Sequence, residues 1–141
     1  MIFGYTTGVF DMFHIGHLRV LERSKALCDQ LIVGITTDEL SRERKQKLPV
    51  VSFEERRQIV AALRCVDMTV PQTSMNKLLA WEALRFNKMF VGDDWRGTDV
   101  WNNLEVQFEP LGVEIVYLPY TQSTSSTKLR DALNGLHGSD A

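Results

Sequence analysis

Cysteine is scarce in this chain, two in 141 residues, Cys28 and Cys65. Each stands among apolar neighbours, Leu27 for one and Leu63 and Val66 for the other, which is the setting of a reduced core thiol in a protein of the cytosol. A disulfide between them is disfavoured. Charge of one sign is scarce as well: 16 Lys and Arg against 18 Asp and Glu leave a net charge of −2. No global field draws the chain to nucleic acid or to an anionic membrane, so an anion site must be local. No apolar run approaches the ~20 residues of a membrane span, and the first residues lack the basic-then-apolar order of a signal peptide. The expectation is a soluble, cytoplasmic protein with no nucleic-acid and no membrane partner. Repeats, linkers and a second domain are also missing, so residues 1–136 are expected to form one domain and the polar 137–141 a frayed tail.

What is present is alternation. Short apolar runs bounded by turns alternate with stretches of helical period, the pattern of a parallel sheet covered by crossover helices. Strands are expected at Ile2 to Thr6, Gln30 to Thr36, "MTVP", "KMFVG" and "VEIVYLP". Helices are expected from near Gly16 or His17, with Leu18, Val20, Leu21, Ala26 and Leu27 on the buried side, at Met75 to Phe86, at Val100 to Leu111 and at Lys128 to Leu136. Another helix begins at Ser52, where Glu55 three residues on completes a capping-box pattern ahead of Ile59, Val60 and Leu63. "SRERKQK", Ser41 to Lys47, is poor in apolar anchors and reads as a loop or a frayed helical turn. Five strands in right-handed crossovers give an α/β fold, a doubly wound, five-stranded parallel sheet of Rossmann-like form with helices on both faces. Its ligand site lies beyond the carboxyl ends of the strands.

The residues that follow the strands therefore carry the functional reading. "TTGVFDMFHIGH" follows the first. Gly8 and Gly16 permit a tight turn and close approach of a ligand, and His14 and His17 straddle a helix entrance, where aligned amides favour phosphate. Two imidazoles there can donate to oxygens that gain charge in phosphoryl or nucleotidyl transfer; equally, one can pack on the core while the other is a solvated cap. A zinc site lacks a third ligand, and no protein metal site is expected. "TTDEL" follows the second strand, with Asp38 suited either to accept from a hydroxyl or to cap a helix. Four of the six residues from Arg42 to Lys47 are basic, which makes either a solvated loop or a cover for polyphosphate. "VGDDWRG" follows the fourth strand: one of its carboxylates can accept from a base amino group or a hydroxyl, with Trp95 shielding the pocket. "YTQSTSSTKLR" follows the fifth and carries more hydroxyls than one helix cap needs, a second phosphate cradle together with Lys128.

With these stretches in view, "GVFDMFHIGH" resembles the G-x-F-D-x-x-H-x-G-H signature of the cytidylyltransferase family, within the superfamily that carries the H-x-G-H motif. "STSSTK" is similar to the second signature, which in glycerol-3-phosphate cytidylyltransferases reads R-T-E-G-I-S-T-T-K. "ITTDEL", the Lys45 to Lys47 loop, "SFEERRQIV", "RCVD" and "VGDDWRG" follow in the family's order. The resemblance implies transfer of CMP from CTP, bound with Mg2+, to a phosphorylated small alcohol such as glycerol 3-phosphate, with release of pyrophosphate. It implies His14, His17 and Lys45 as catalytic residues. Gly8, Val9, Phe10, Asp11, Gly16, Arg64, Asp94, Ser125, Ser126 and Thr127 would bind the nucleotide, and Asp38, Lys47 and Arg56 would face the acceptor or order the site. A homodimer and a place in surface-polymer assembly come by the same analogy.

Two departures stand out. Val9 replaces the threonine common before F-D, and Tyr120 replaces the arginine that opens the second signature, which removes a bidentate phosphate partner. Two other readings stand beside this one: an adenylyltransferase of the same superfamily using ATP with a sugar phosphate or flavin mononucleotide, and, permitted by the break at Tyr120, a non-catalytic nucleotide-binding regulatory protein. "GDDW" favours the cytidylyl branch over the first. Retention of both histidines and Lys45 argues against the second.

Overall fold

The computed structural model describes residues 1–119 and 132–134. Five strands, β1 (Phe3–Gly8), β2 (Gln30–Thr36), β3 (Met68–Gln72), β4 (Lys88–Gly92) and β5 (Glu114–Leu118), form one sheet in the order β3-β2-β1-β4-β5. Every pairing is parallel. The helices between them are α1 (Ile15–Ala26), α2 (Asp38–Lys45), α3 (Phe53–Ala61), α4 (Lys77–Leu84) and α5 (Asp99–Phe108).

The pleat explains why both faces must be covered. Along β2, residues 31–36 are all buried, the near-continuous apolar run of a strand inside a parallel sheet. Leu31, Val33 and Ile35 join Leu21, Val60 and Phe90 on one side, whereas Ile32 joins Tyr5, Met89, Trp101, Leu104 and Phe108 on the other. The period of two thus sends alternate residues under α1 and α3 and under α4 and α5. The chain winds outward from β1 to β3, then crosses back to β4 and β5. The reversal of direction between β1 and β4 opens a crevice at the carboxyl ends of these two strands.

Several local expectations are corrected. Asp38–Lys45 is a true helix: Thr37 caps it by accepting from the Leu40 amide at 3.2 Å, and Leu40 and Ser41 are its buried anchors. The stretch expected as a loop therefore shrinks to Gln46, left-handed at φ 57°, and the residues after it. Ser52 occupies the cap position of α3 but makes no side-chain cap bond; the Asp38 carboxylate reaches across from α2 and accepts from the Phe53 amide at 3.2 Å. Ala26, Leu27 and Ile59, expected inside, are exposed. Helix α5 stops at Phe108 and continues only as a single 3-10 turn over Glu109–Leu111. Helix α4 is shorter than Met75 to Phe86, since Arg85 turns left-handed at φ 53°. Both cysteines are free thiols, half-buried against the core beneath α1 and α3, and burial raises the pKa of each. Of the closing helix expected from Lys128 to Leu136, only the helical residues 132–134 fall within the described set. The expected tail at 137–141 and Tyr120 lie outside it.

Candidate active site

The chain leaves β1 through a turn that no ordinary loop sequence would choose. Phe10 and Met12 are both left-handed, at φ 54° and 49°, a region non-glycine residues seldom occupy. Phe10 is nevertheless buried, its ring folded back over Gly8 so closely that a Cβ there would stand 2.9 Å from it. Gly8 is thus required by its neighbour's ring. Between the two left-handed residues, Asp11 is 3 % exposed and accepts from the Val50 and Val51 amides, both at 2.9 Å. Its carboxylate therefore pins the loop before α3 against the end of β1.

Helix α1 begins with its histidines bonded to each other's backbone. His14 is the N-cap, in extended conformation, and its Nδ1 accepts from the Gly16 amide at 3.0 Å. His17, at the third helical position, accepts through its Nδ1 from the His14 amide at 3.3 Å. This is a capping box built from two imidazoles in place of a hydroxyl and a carboxylate. The rings stack 3.9 Å apart, and Phe10 and Phe13 flank His17 at 5.5 Å and 5.3 Å between ring centres. A neutral imidazole carries one proton; with Nδ1 accepting in both rings, that proton resides on Nε2. Burial holds the His14 pKa below its usual value, and drives that of His17 down to about 4, helped by the charge of His14 and opposed by that of Asp11. Both rings are therefore neutral Nε2–H donors at neutral pH. The Nε2 of His14 is buried without a partner among the described residues.

Two cavities flank Gly8. The first, about 470 Å³, is lined by Gly8, Val9, Phe10, Asp11 and His17 from the β1 turn and α1, by Lys45 and Lys47 around the end of α2, and by Asp94. Asp94 follows β4 in a 3-10 turn, and its Oδ1 folds over Gly92, where a Cβ would meet it at 2.6 Å. The second cavity, about 520 Å³, shares Gly8, Val9 and Lys45 and adds Arg44, Gln72 and Lys77. Its floor is a buried polar network: Lys77 Nζ donates to Thr7 Oγ1 at 3.1 Å and to Gln72 Oε1, whose amide in turn donates to Thr36 Oγ1 at 2.9 Å. Burial, and secondarily the charge of Arg44, lowers the Lys77 pKa to about 8.

Among the residues singled out in the sequence, Gly8 to Asp11, His17, Lys45, Lys47 and Asp94 thus share one cavity. His14 stacks on its edge, and Gly16 is buried beneath, supplying the amide that fixes His14. Arg56 and Asp38, expected to face the acceptor or order the site, line neither cavity. The Arg56 side chain is fully buried and donates to the carbonyls of Val51, Val9 and Thr36 at 2.9, 2.7 and 2.8 Å and to Asp38 at 2.6 Å. It ties the ends of β1 and β2 to α2 and α3 from below. Arg64 precedes β3, at the opposite end of the sheet, and the fold does not bring it to either cavity. Ser125, Ser126 and Thr127 lie outside the described residues. Lys77 and Gln72 lack any signature in the sequence; their one mark is position, at and after the carboxyl end of β3.

Neutral donors at a helix entrance and cations at the switch point of a doubly wound sheet define an α/β protein whose site suits phosphate-bearing ligands. The chain belongs to the cytidylyltransferase-like family, whose model matches residues 5–132. It is 36% identical over 138 residues to a glycerol-3-phosphate cytidylyltransferase of Bacillus subtilis, covering 93% of this chain and 96% of that one. It is 30% identical over 131 residues to the enzyme of the same name from Staphylococcus aureus, covering 92% and 93%. Among solved structures, a lipopolysaccharide core biosynthesis protein from Thermoplasma volcanium superposes with a TM-score of 0.72 at 24% identity, over 88% of this chain and 99% of that one, a likeness of fold. No helix among the described residues is long and apolar enough to cross a membrane.

Proposed function

We propose that this chain transfers CMP from CTP to a small phosphorylated acceptor. It is a CTP-dependent nucleotidyltransferase whose first cavity takes the nucleotide and whose second takes the acceptor. The observation that carries this reading is the pair of imidazoles locked as neutral Nε2–H donors at the entrance of α1. An oxygen of the acceptor phosphate attacks the α-phosphorus in line, the bond from that phosphorus to the bridging oxygen breaks, and pyrophosphate leaves with the electron pair. No nucleophile from the protein is needed, so the protein acts by placement and by stabilising charge. His14 and His17 donate to the oxygens on which negative charge grows, and do so without a proton transfer that would cost reorganisation. Lys45, shared by both cavities, bridges the reacting groups. Lys77 and Arg44 hold the acceptor phosphate, while Ser125, Ser126 and Thr127 are proposed for the outer phosphates of the nucleotide.

Magnesium fits as a passenger of the triphosphate. Among the described residues no group of three or more His, Cys, Asp or Glu gathers to hold a metal, and the Asp11 oxygens already accept from two amides. Asp94, exposed at the wall of the nucleotide cavity, is the carboxylate that would add a ligand. The ion would supply neutralising charge to the phosphates.

The test is a pyrophosphate-release assay in which four nucleoside triphosphates are crossed with a panel of phosphorylated alcohols in the presence of magnesium. Release is expected with CTP and at least one acceptor. Release with ATP in preference to CTP would move the protein to an adenylyltransferase, and release with none would refute the reading.

A further inference from the structure

The acceptor cavity combines cations with a set of apolar side chains. Its cations are Arg44, Lys45 and Lys77, and no Asp or Glu is among the described residues that line it. Several of its polar oxygens already accept bonds from within the protein, while the side chains of Ser41 and Gln107 also line it. The oxygens of Thr7 and Gln72 accept from Lys77, that of Thr36 from Gln72, and Asn76 Oδ1 from the Leu78 and Leu79 amides. Leu78, Val91, Val100, Trp101 and Leu104 add apolar lining. At about 520 Å³ the space is in the range that encloses ligands well beyond a three-carbon phosphate.

Resting on the cytidylyltransferase reading, we propose that the acceptor is a phosphomonoester with a hydrocarbon-faced organic part, larger than glycerol phosphate and bearing no positive charge. The phosphate lies among Arg44, Lys45 and Lys77, and the carbon skeleton lies against the Val100–Trp101–Leu104 wall, where removal of apolar surface from water supplies affinity. An ammonium-bearing acceptor would meet three cations and no carboxylate among the described residues that line this cavity. The nucleophile is a phosphate oxygen, so the organic part needs no hydroxyl to react.

The experiment compares glycerol 3-phosphate, ribitol 5-phosphate, phosphocholine and cyclopentylmethyl phosphate, a five-membered carbocycle stripped of hydroxyls, as acceptors with CTP. The expected result is a kcat/KM for cyclopentylmethyl phosphate ~10-fold or more above those of the other three, the scale of burying a few methylene groups. Val100→Asp places a carboxylate on the wall. Val100 is 70 % exposed and sits in the first turn of α5, where an acid suits the helix dipole, so this variant folds. It should reduce the ratio of the cyclopentylmethyl to the glycerol value ~10-fold. Equal or better turnover of glycerol 3-phosphate, ribitol 5-phosphate or phosphocholine overturns the proposal, as does an unchanged ratio in Val100→Asp. Should no acceptor release pyrophosphate from CTP, the cytidylyltransferase reading falls, and calorimetric titration of the same four compounds into the protein alone decides the present one. The same rank order of affinity upholds it; any other order, or no binding, ends it.

Discussion

The two cavities on either side of Gly8 are shaped by the same force with opposite results. In the cavity proposed for the nucleotide, burial depresses the pKa of His17 to about 4, so the ring is neutral at physiological pH. In the cavity proposed for the acceptor, burial depresses the pKa of Lys77 to about 8, and the ammonium still keeps its proton at pH 7. Desolvation penalises the charged form in both, yet the starting points differ by enough that one becomes a polar donor and the other remains a cation. This division matches the work proposed for each side. Where charge must move between oxygens, neutral donors locked by backbone amides stabilise it without holding the leaving group too tightly. Where a dianionic acceptor must be held until it attacks, a fixed positive charge serves better.

The largest break in this comparison is expected from His17→Ala. Removing a donor that acts on developing charge costs ~10²-fold or more in kcat, while CTP binding, measured by calorimetry, persists. The same substitution removes the acceptor of the His14 amide, so a loss of about 1 kcal/mol in stability accompanies it. A variant that turns over at the parent rate would show that the imidazole is only a cap. Lys77→Met is the complementary break, and its effect falls on the other substrate. Loss of one charged hydrogen-bonding partner should lower kcat/KM for the acceptor ~10- to 100-fold with CTP affinity retained. If CTP affinity falls instead, the two cavities have been assigned the wrong way round.

The fold was legible from the sequence because its signals are local. Apolar runs such as Gln30–Thr36 name strands, and the crossover rule then leaves little choice of topology. The first turn was legible for a different reason: Gly8, Phe10, Asp11 and the two histidines are close in the chain, so spacing already fixes their neighbourhood. What escaped are relations between distant elements. Asp38 satisfies the first amide of α3 from α2, fifteen positions away, while Ser52 makes none of the cap bonds its capping-box pattern announces. The resemblance gives Arg56 as facing the acceptor or ordering the site, and no local signal in the sequence says that its guanidinium meets three carbonyls from three segments and is buried. Lys77 opens α4 after a strand whose end carries no signature, and only the folded sheet sets it beside Thr7, seventy residues earlier. Arg64 errs in the other direction, since a motif match placed in the site a residue that the chain direction sends to the far end of β3.

The finest distinction between the cavities is in how each contributes to stability as pH changes. For His17 the folded pKa is about 4 against an ordinary 6.5, so between these values the unfolded chain binds a proton that the native ring refuses. Stability therefore rises with pH through that window, is complete above it, and is lost as pH falls from 6.5 towards 4. His14 on one side and Asp11 on the other are the charges that face the ring, the first deepening the shift and the second moderating it. For Lys77 the sign is the same and the window is different: its pKa is about 8 in the fold against 10.5 outside it, so stability again rises with pH, now from about 8 to 10.5. Carboxylates and tyrosines also titrate near these ranges, so the informative quantity is the difference in thermal midpoint between parent and variant. His17→Asn should flatten the acidic slope and leave the alkaline one; Lys77→Met should do the reverse. A single variant that flattened both would mean that the two groups titrate as one network across Gly8, and the separation of the site into a neutral side and a cationic side would have to be abandoned.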